Sequence, residues 1–198
     1  MAYDHAVVLT GGIATGKSSA GALLKLFGFR IIDADAIAHE ILDREASRVA
    51  ERFGEEILKE GRVDRRKLGE RVFADPAERK ALEAIVHPPI REEIRRQSEE
   101  QEELGKPYLI DIPLFFETGS DYPITRSVVV YAPRALQIQR LMKRDNLSEV
   151  EALRRLDAQL DIEEKRRRAT WVIDNSGDLA QLSAECERVK EEILKAFS

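Results

Sequence analysis

The amino-acid sequence predicts an α/β fold in which helices cover both faces of a five-stranded parallel sheet. Short apolar runs rich in β-branched residues alternate with longer helical stretches, an order typical of parallel sheets. The first run, residues 6–9, is continuously apolar, as expected for a strand buried on both faces. A glycine-rich turn follows it directly and opens a helix, as in a βα unit.

Each predicted element has a local signal. The five predicted strands cover residues 6–9, 29–32, 108–112, 128–131 and 171–173. The first helix spans about residues 17–26 and stops near Gly28. Later come a charged helical region, residues 134–168, broken near Asn146, and a closing helix, about 179–197, capped by Asp178.

A long, charged helical segment separates the second and third strands. It runs from about residue 36 to 105, contains no convincing strand and is punctuated at Asp64, at Asp75-Pro76 and at residues 87–89 (His-Pro-Pro). Its roughly 70 residues are far more than a crossover helix needs. We therefore interpret it as a helical insertion and a candidate substrate-binding subdomain.

Composition excludes several classes of protein. The chain has 198 residues, with 32 basic and 37 acidic side chains and a net charge of −5, whereas nucleic-acid-binding proteins usually show a basic excess. Cys186 is the single cysteine, which excludes an internal disulfide and favours a reducing compartment. No apolar run is long enough to span a membrane, and the first residues lack the pattern of a signal peptide. We expect a cytoplasmic protein without nucleic-acid or membrane partners.

The strongest motif is Gly-Gly-Ile-Ala-Thr-Gly-Lys-Ser at residues 11–18, here called the phosphate loop, which fits G-x-x-x-x-G-K-[ST]. Its glycines allow a turn in which successive backbone N–H groups surround an anion, and the helix N-terminus adds positive potential. Lys17 is expected to reach the outer phosphates, and Ser18 to ligate Mg²⁺. The alternative is an ordinary glycine-rich βα turn followed by Lys-Ser by chance, and a chance match in a chain of this size has odds on the order of 1 in 100. The motif therefore predicts binding of a nucleoside triphosphate.

Acidic side chains follow the second and third strands. If Asp33 and Asp35 are both extended they share one side of the chain, where a carboxylate could accept a hydroxyl proton. The alternative is that Asp35 merely caps a helix beginning at Ala36, and the two interpretations are balanced. Asp111 either holds a water on Mg²⁺ or forms a turn before Pro113, and the sequence does not separate these roles.

Arginines are abundant in the helical region before the fifth strand. Arg140 and Arg144 lie four residues apart and share a helix face, from which an arginine could stabilise a transferring phosphoryl group. For most of these arginines a solvated surface is the simpler explanation. The run at residues 165–168 (Lys-Arg-Arg-Arg) could simply complement the dipole at a helix end.

Together these residues resemble the dephospho-CoA kinase family over nearly the whole chain. Besides the phosphate loop, the matching pieces occur in the family's order. They are residues 32–35 (IDAD), Ala38-His39, His87-Pro88, residues 111–117 (DIPLFFE), residues 140–145 (RLMKRD), Gln159, and residues 172–177 (VIDNSG). The phosphate loop is shared by many families, whereas the ordered set is specific.

The resemblance implies a P-loop kinase with a nucleotide core, a helical CoA-binding insertion and a helical lid. The core would comprise residues 1–35, 106–133 and 169–198, the insertion about 36–105, and the lid about 134–168. The reaction would transfer the γ-phosphoryl group of ATP, with Mg²⁺, to the ribose 3′-hydroxyl of dephospho-CoA, giving CoA and ADP. The partners would be these small molecules, and a monomer is expected, with weak oligomerisation left open.

The resemblance also assigns candidate site residues. The catalytic candidates are Asp35 as general base, Lys17, and the lid arginines Arg140 and Arg144, of which Arg144 matches the family's Arg-Asp motif more closely. The nucleotide-binding candidates are Gly12, Ile13, Ala14, Thr15, Gly16, Lys17, Ser18, Ser19 and Asn175. Ser18 is the metal candidate. Ala14 departs from a common family glycine, and its Cβ predicts a right-handed backbone there.

Three other functions share part of this sequence pattern. Another P-loop kinase, acting on a nucleoside monophosphate or a shikimate-like acceptor, is the main alternative. A GTP switch would need an Asn-Lys-x-Asp motif, but neither Asn146 nor Asn175 precedes a lysine. An RNA- or DNA-dependent ATPase is disfavoured by the acidic charge balance.

Overall fold

A computed structural model describes residues 3–118 and 122–198 of the chain. Met1 and Ala2, which the sequence assigns to the nucleotide core, and residues 119–121 lie outside the described residues. The chain divides into two compact units, one containing Met1–Ile32 and Ser98–Ser198 and the other Asp33–Gln97. No helix among the described residues combines the length and the apolar character needed to cross a bilayer.

The first unit is built on a five-stranded sheet with the order β2-β5-β1-β6-β7. The strands are β1 (Ala6–Gly11), β2 (Ile31–Asp33), β5 (Tyr108–Asp111), β6 (Ser127–Tyr131) and β7 (Trp171–Asp174). Strand β1 lies in the centre and pairs in parallel with both β5 and β6, and β6 pairs in parallel with β7. Every residue of β1 is buried, because neighbouring strands cover its edges and helices cover the sheet.

Helices cover the two faces of this sheet. Helices α1 (Lys17–Leu26) and α9 (Leu179–Ala196) share a core with the odd-numbered residues of β1 and the even-numbered residues of β6. The opposite face of β6 contacts α8 (Ile162–Arg168) through Val129 and Tyr131. The alternation of strand side chains thus produces three layers and confirms the predicted α/β/α architecture. Helices α6 (Arg134–Asp145) and α7 (Glu149–Asp157) pack against each other around Leu141 and Leu156.

The second unit is mainly helical. It contains α2 (Ala34–Arg44), α3 (Ala46–Phe53), a 3₁₀ turn (Glu55–Ile57), α4 (Arg65–Ala74) and most of α5 (Pro76–Glu102). The prediction that this stretch holds no strand is wrong, because β3 (Leu58–Lys59) and β4 (Arg62–Val63) form a small antiparallel hairpin. Its turn residues Glu60 and Gly61 both have positive φ, as a two-residue hairpin turn requires. Strands of two residues are too short to show an alternating pattern.

Helix α5 continues through Pro88 and Pro89, so the expected interruption at these prolines does not occur. Each proline removes a helical hydrogen bond and costs about 3 kcal/mol in a helix interior. Burial of apolar side chains before and after the prolines offsets that cost. Leu82 and Ile85 pack against the core of the second unit, and Ile94 is fully buried. His87, beside the prolines, is exposed.

Candidate functional site

The phosphate loop connects β1 to α1 at the carboxyl edge of the sheet. Gly16 is the N-cap of α1 and has left-handed backbone angles, φ 89° and ψ 23°. Within the described residues, the backbone N–H groups of Ala14, Gly16, Lys17 and Ser18 donate to no protein acceptor. Unpaired N–H groups at a helix N-terminus attract anions, so this arrangement suits a phosphate group.

The carbonyl groups of the loop are held by side chains around it. The Gln137 side chain of α6 donates a 2.7 Å hydrogen bond to the carbonyl of Ile13. The Asn175 amide, just after β7, donates one of 2.8 Å to the carbonyl of Thr15. The Thr15 hydroxyl donates to the carbonyl of Gly12 at 2.9 Å. Because protein donors satisfy these carbonyls, a bound anion meets N–H groups rather than carbonyl oxygens.

The backbone of Ala14 differs from the expectation. Its φ is 60°, in the left-handed region, whereas its Cβ predicted a right-handed conformation. The left-handed conformation costs a residue with a Cβ about 1–2 kcal/mol. An anion-binding loop alternates right- and left-handed residues so that successive N–H groups point to one side, and this requirement overrides the local preference of Ala14.

Lys17 forms an ion pair with Asp111 at the front of the site. The Lys17 Nζ contacts Asp111 Oδ1, and about one fifth of each side chain is exposed. The parallel register aligns Asp111 with Leu9 of β1, which brings the end of β5 next to the loop. The sequence left Asp111 as either a magnesium-water ligand or a turn residue, and the contact with the loop lysine is a further role that sequence did not indicate.

The two candidate lid arginines have different surroundings. The Arg140 Nη2 donates a 2.9 Å hydrogen bond to the carbonyl of Asn175, and its buried Nη1 has no partner among the described residues. Arg144 is exposed and donates to both carboxylate oxygens of Asp145, at 2.7 and 3.1 Å. These hydrogen bonds lower the pKa of Asp145, which Arg155 also contacts at 2.8 Å. Arg140 is therefore the one connected to the phosphate loop, through Asn175.

The sequence placed the start of α2 incorrectly. The helix begins at Ala34, and its cap is Asp33, whose carboxylate accepts a 2.9 Å hydrogen bond from the backbone N–H of Ala36. Asp35 lies in the first helical turn, so it neither caps the helix nor extends the strand with Asp33. Both carboxylates are exposed and belong to the second unit, and the catalytic role of Asp35 stays a prediction.

The sequence did not indicate two residues that form hydrogen bonds to the phosphate loop. Gln137 and Lys165 are both buried polar residues. Their helical spacing carried the signal, because Gln137 precedes the buried Leu141 by one turn and Lys165 follows the buried Ile162 by three residues. Grouping Lys165 with the arginines after it as complements of the helix dipole was wrong for Lys165, because only the arginines are exposed.

Oxygen donors are present for a magnesium ion. The Ser18 hydroxyl is exposed in the first turn of α1, and the Asp111 carboxylate contacts Lys17 of the same turn. Hydroxyl and carboxylate oxygens are ligands that Mg²⁺ accepts together with water and substrate phosphates. The residues present therefore fit the ion.

Comparison with known proteins shows the family of this chain. The dephospho-CoA kinase family model matches residues 5–181. A dephospho-CoA kinase of Sulfurimonas denitrificans is 54% identical over 98% of this chain and 96% of that relative. One from Helicobacter pylori is 46% identical over 98% of this chain and all of that relative.

Comparison with solved structures also finds a dephospho-CoA kinase. The dephospho-CoA kinase structure from Campylobacter jejuni has a TM-score of 0.77 and 38% identity, covering 98% of this chain and 99% of that one. A shikimate kinase from Acinetobacter baumannii, at 19% identity and a TM-score of 0.51, shares the fold alone. On the family match, the identity over nearly the full length and the geometry of the phosphate loop, this chain belongs to the dephospho-CoA kinase family.

Proposed function

We propose that this protein transfers the γ-phosphoryl group of ATP to the ribose 3′-hydroxyl of dephospho-CoA, yielding CoA and ADP. The observation that carries the proposal is the phosphate loop, in which four backbone N–H groups without an acceptor among the described residues lie beside Lys17, in a chain that the family model matches over residues 5–181. The 3′-oxygen attacks the γ-phosphorus, the bond to the β–γ bridging oxygen breaks, and the hydroxyl proton passes to Asp35.

In this mechanism the protein supplies position and charge. Residues 12–19 hold the triphosphate, Lys17 compensates charge on its outer phosphates, and Asn175 lies beside the nucleotide. Arg140 or Arg144 stabilises charge on the transferring group, and Arg140 Nη1 is buried without a hydrogen-bond partner among the described residues. Ser18 would hold Mg²⁺, which supplies positive charge to the phosphates. Closure of the lid, residues 134–168, would exclude water that competes for the phosphoryl group.

An acceptor panel tests the substrate. Purified protein is supplied with ATP, Mg²⁺ and either dephospho-CoA, a nucleoside monophosphate or shikimate, and ADP release is followed by a coupled assay. We expect turnover with dephospho-CoA and a product heavier by one phosphoryl group in mass spectrometry. Preferred turnover of either other acceptor would replace the proposed substrate with that one.

The base assignment has a matched control two residues away. Asp35→Asn should lower kcat by about 10²–10⁴-fold, the usual contribution of a general base, with nearly unchanged affinity for ATP. Asp33→Asn removes a neighbouring charge but keeps a good helix cap, so its kcat should stay within a few-fold of wild type. A wild-type kcat for Asp35→Asn would show that another group accepts the proton.

A further inference from the structure

Lys165 is a fully buried cation that the reaction above does not use. Its Nζ donates a 2.9 Å hydrogen bond to the carbonyl of Gly11 and lies 2.5 Å from Glu117 Oε1. A buried ammonium without partners is very costly, so these two contacts account for its presence under the sheet's carboxyl edge. Gly11 is both the last residue of β1 and the first residue of the phosphate loop, and Lys165 therefore touches the loop at its origin.

Glu117 links this cation to another backbone segment. Its Oε1 also accepts a 3.2 Å hydrogen bond from the backbone N–H of Leu160, in the connection between α7 and α8. Its buried Oε2 has no partner among the described residues, so the carboxylate is satisfied on one side only. Lys165 is thus needed to compensate the Glu117 charge, and Glu117 in turn fixes the α7–α8 connection.

That connection makes a second contact with the loop. Gln159 Oε1 accepts a 2.8 Å hydrogen bond from the backbone N–H of Ile13. Helix α8 and the connection before it therefore contact the loop at two residues, Gly11 through Lys165 of α8 and Ile13 through Gln159 of the connection. A Cβ on Gly11 would lie 2.9 Å from the carbonyl oxygen of Val130, so the backbone at this end of the loop packs closely against β6.

An apolar residue would fill the buried position of Lys165 at lower cost if filling space were its whole role. Buried ion pairs often contribute little to stability compared with apolar residues of similar volume. A charged pair is, however, directional, since the ammonium fixes a carbonyl oxygen in a way that a methyl group does not. The loop depends on such orientation, because its N–H groups bind an anion only while its carbonyls are held elsewhere.

We propose that Lys165 and Glu117 are positioning residues that orient the Gly11 carbonyl and the α7–α8 connection so that the phosphate loop is preformed for the triphosphate. The proposal deepens the proposed function. It rests on that function only for the identity of the bound nucleotide. Neither side chain is assigned contact with the substrates.

Three variants and one control separate positioning from stability. Lys165→Met removes the cation, Glu117→Gln removes the anion, and the double variant removes both charges while preserving volume. Arg167→Met removes an exposed cation of the same helix, whose side chain contacts Glu164 at the surface. For each variant we would measure urea unfolding, ADP affinity by calorimetry, and kcat and KM for ATP.

We expect Lys165→Met to lose stability and to bind ADP about 10–100-fold more weakly, by analogy with the loss of a hydrogen-bond partner that orients a metal ligand. The double variant should regain stability, because no buried charge is left unpaired, while its ADP affinity stays low. Arg167→Met should match wild type in all measurements.

Two results would overturn the proposal. One is ADP affinity within two-fold of wild type in Lys165→Met, and the other is recovery of both stability and affinity in the double variant. If Lys165→Met fails to fold, the ADP affinity of the double variant tests the proposal in its place. Because ADP binding requires no acceptor, an error in the assignment of dephospho-CoA would appear as absent turnover in wild type with these affinities unaffected.

Discussion

Replacing Gly16 by alanine is expected to destabilise the protein through a contact that can be isolated. The Gly16 φ of 89° is left-handed, which costs alanine about 1–2 kcal/mol. A Cβ there would lie 2.1 Å from Asn175 Nδ2, so the amide would have to move away from the Thr15 carbonyl that it holds. Leaving a buried carbonyl unpaired costs about 1–3 kcal/mol. The total loss should be about 2–5 kcal/mol, the sum of these two contributions.

Gly28 provides a matched control. Its φ of 98° is also left-handed, but an added Cβ would meet no atom within 4 Å. Gly28→Ala should therefore show the backbone cost alone, about 1–2 kcal/mol. Urea unfolding without nucleotide, followed by circular dichroism, measures both variants without reference to activity.

A double-mutant cycle with Asn175→Ala isolates the steric contribution. In the Asn175→Ala background the amide that a Cβ at residue 16 would clash with is absent. Gly16→Ala should then lower the free energy of unfolding by no more than Gly28→Ala does in the wild type. The reasoning is refuted if Gly16→Ala and Gly28→Ala destabilise equally, or if the cost of Gly16→Ala is unchanged when Asn175 is removed.

Two further predictions concern backbone strain and a buried thiol. Ala14→Gly should stabilise the protein by up to about 1 kcal/mol in the same urea assay, because relief of the left-handed strain exceeds the entropy that glycine adds to the unfolded chain; a loss of stability would contradict this. Burial raises the pKa of the Cys186 thiol from 9.0 to about 11, so its stabilising contribution is complete below pH 9 and is lost as the pH rises towards 11. Cys186→Ala should show a smaller loss of stability over that range, and iodoacetamide at pH 8 should alkylate wild type only after denaturation; rapid native alkylation would contradict the burial.

Local signals in the sequence determined most of the architecture. Helix α1 was predicted over the residues it occupies, and Asp178 caps α9 by accepting a hydrogen bond from the N–H of Gln181. The five strands were found because buried parallel strands are continuous apolar runs, a pattern independent of distant contacts. The family assignment also came from the order of short motifs along the chain.

Signals were weak where elements were short or where tertiary packing opposed a local preference. The hairpin at Leu58–Val63 has two residues per strand, and Pro88–Pro89 lies in a helix that packing keeps continuous. The start of α2 moved by two residues because either Asp33 or Asp35 could serve as the cap, and sequence cannot choose between adjacent candidates.

The sequence by itself determined the phosphate loop, its helix and its lysine, since the residues expected to bind phosphate are consecutive in the chain. Tertiary structure alone decided what holds that loop in shape. The contacts of Lys165 with Gly11 and of Asn175 with Thr15 join residues more than 150 positions apart. The Glu117 carboxylate meets Lys165 only because the folded chain brings α8 next to it. Side chains so distant in sequence leave no local pattern, because their proximity is a property of the folded sheet.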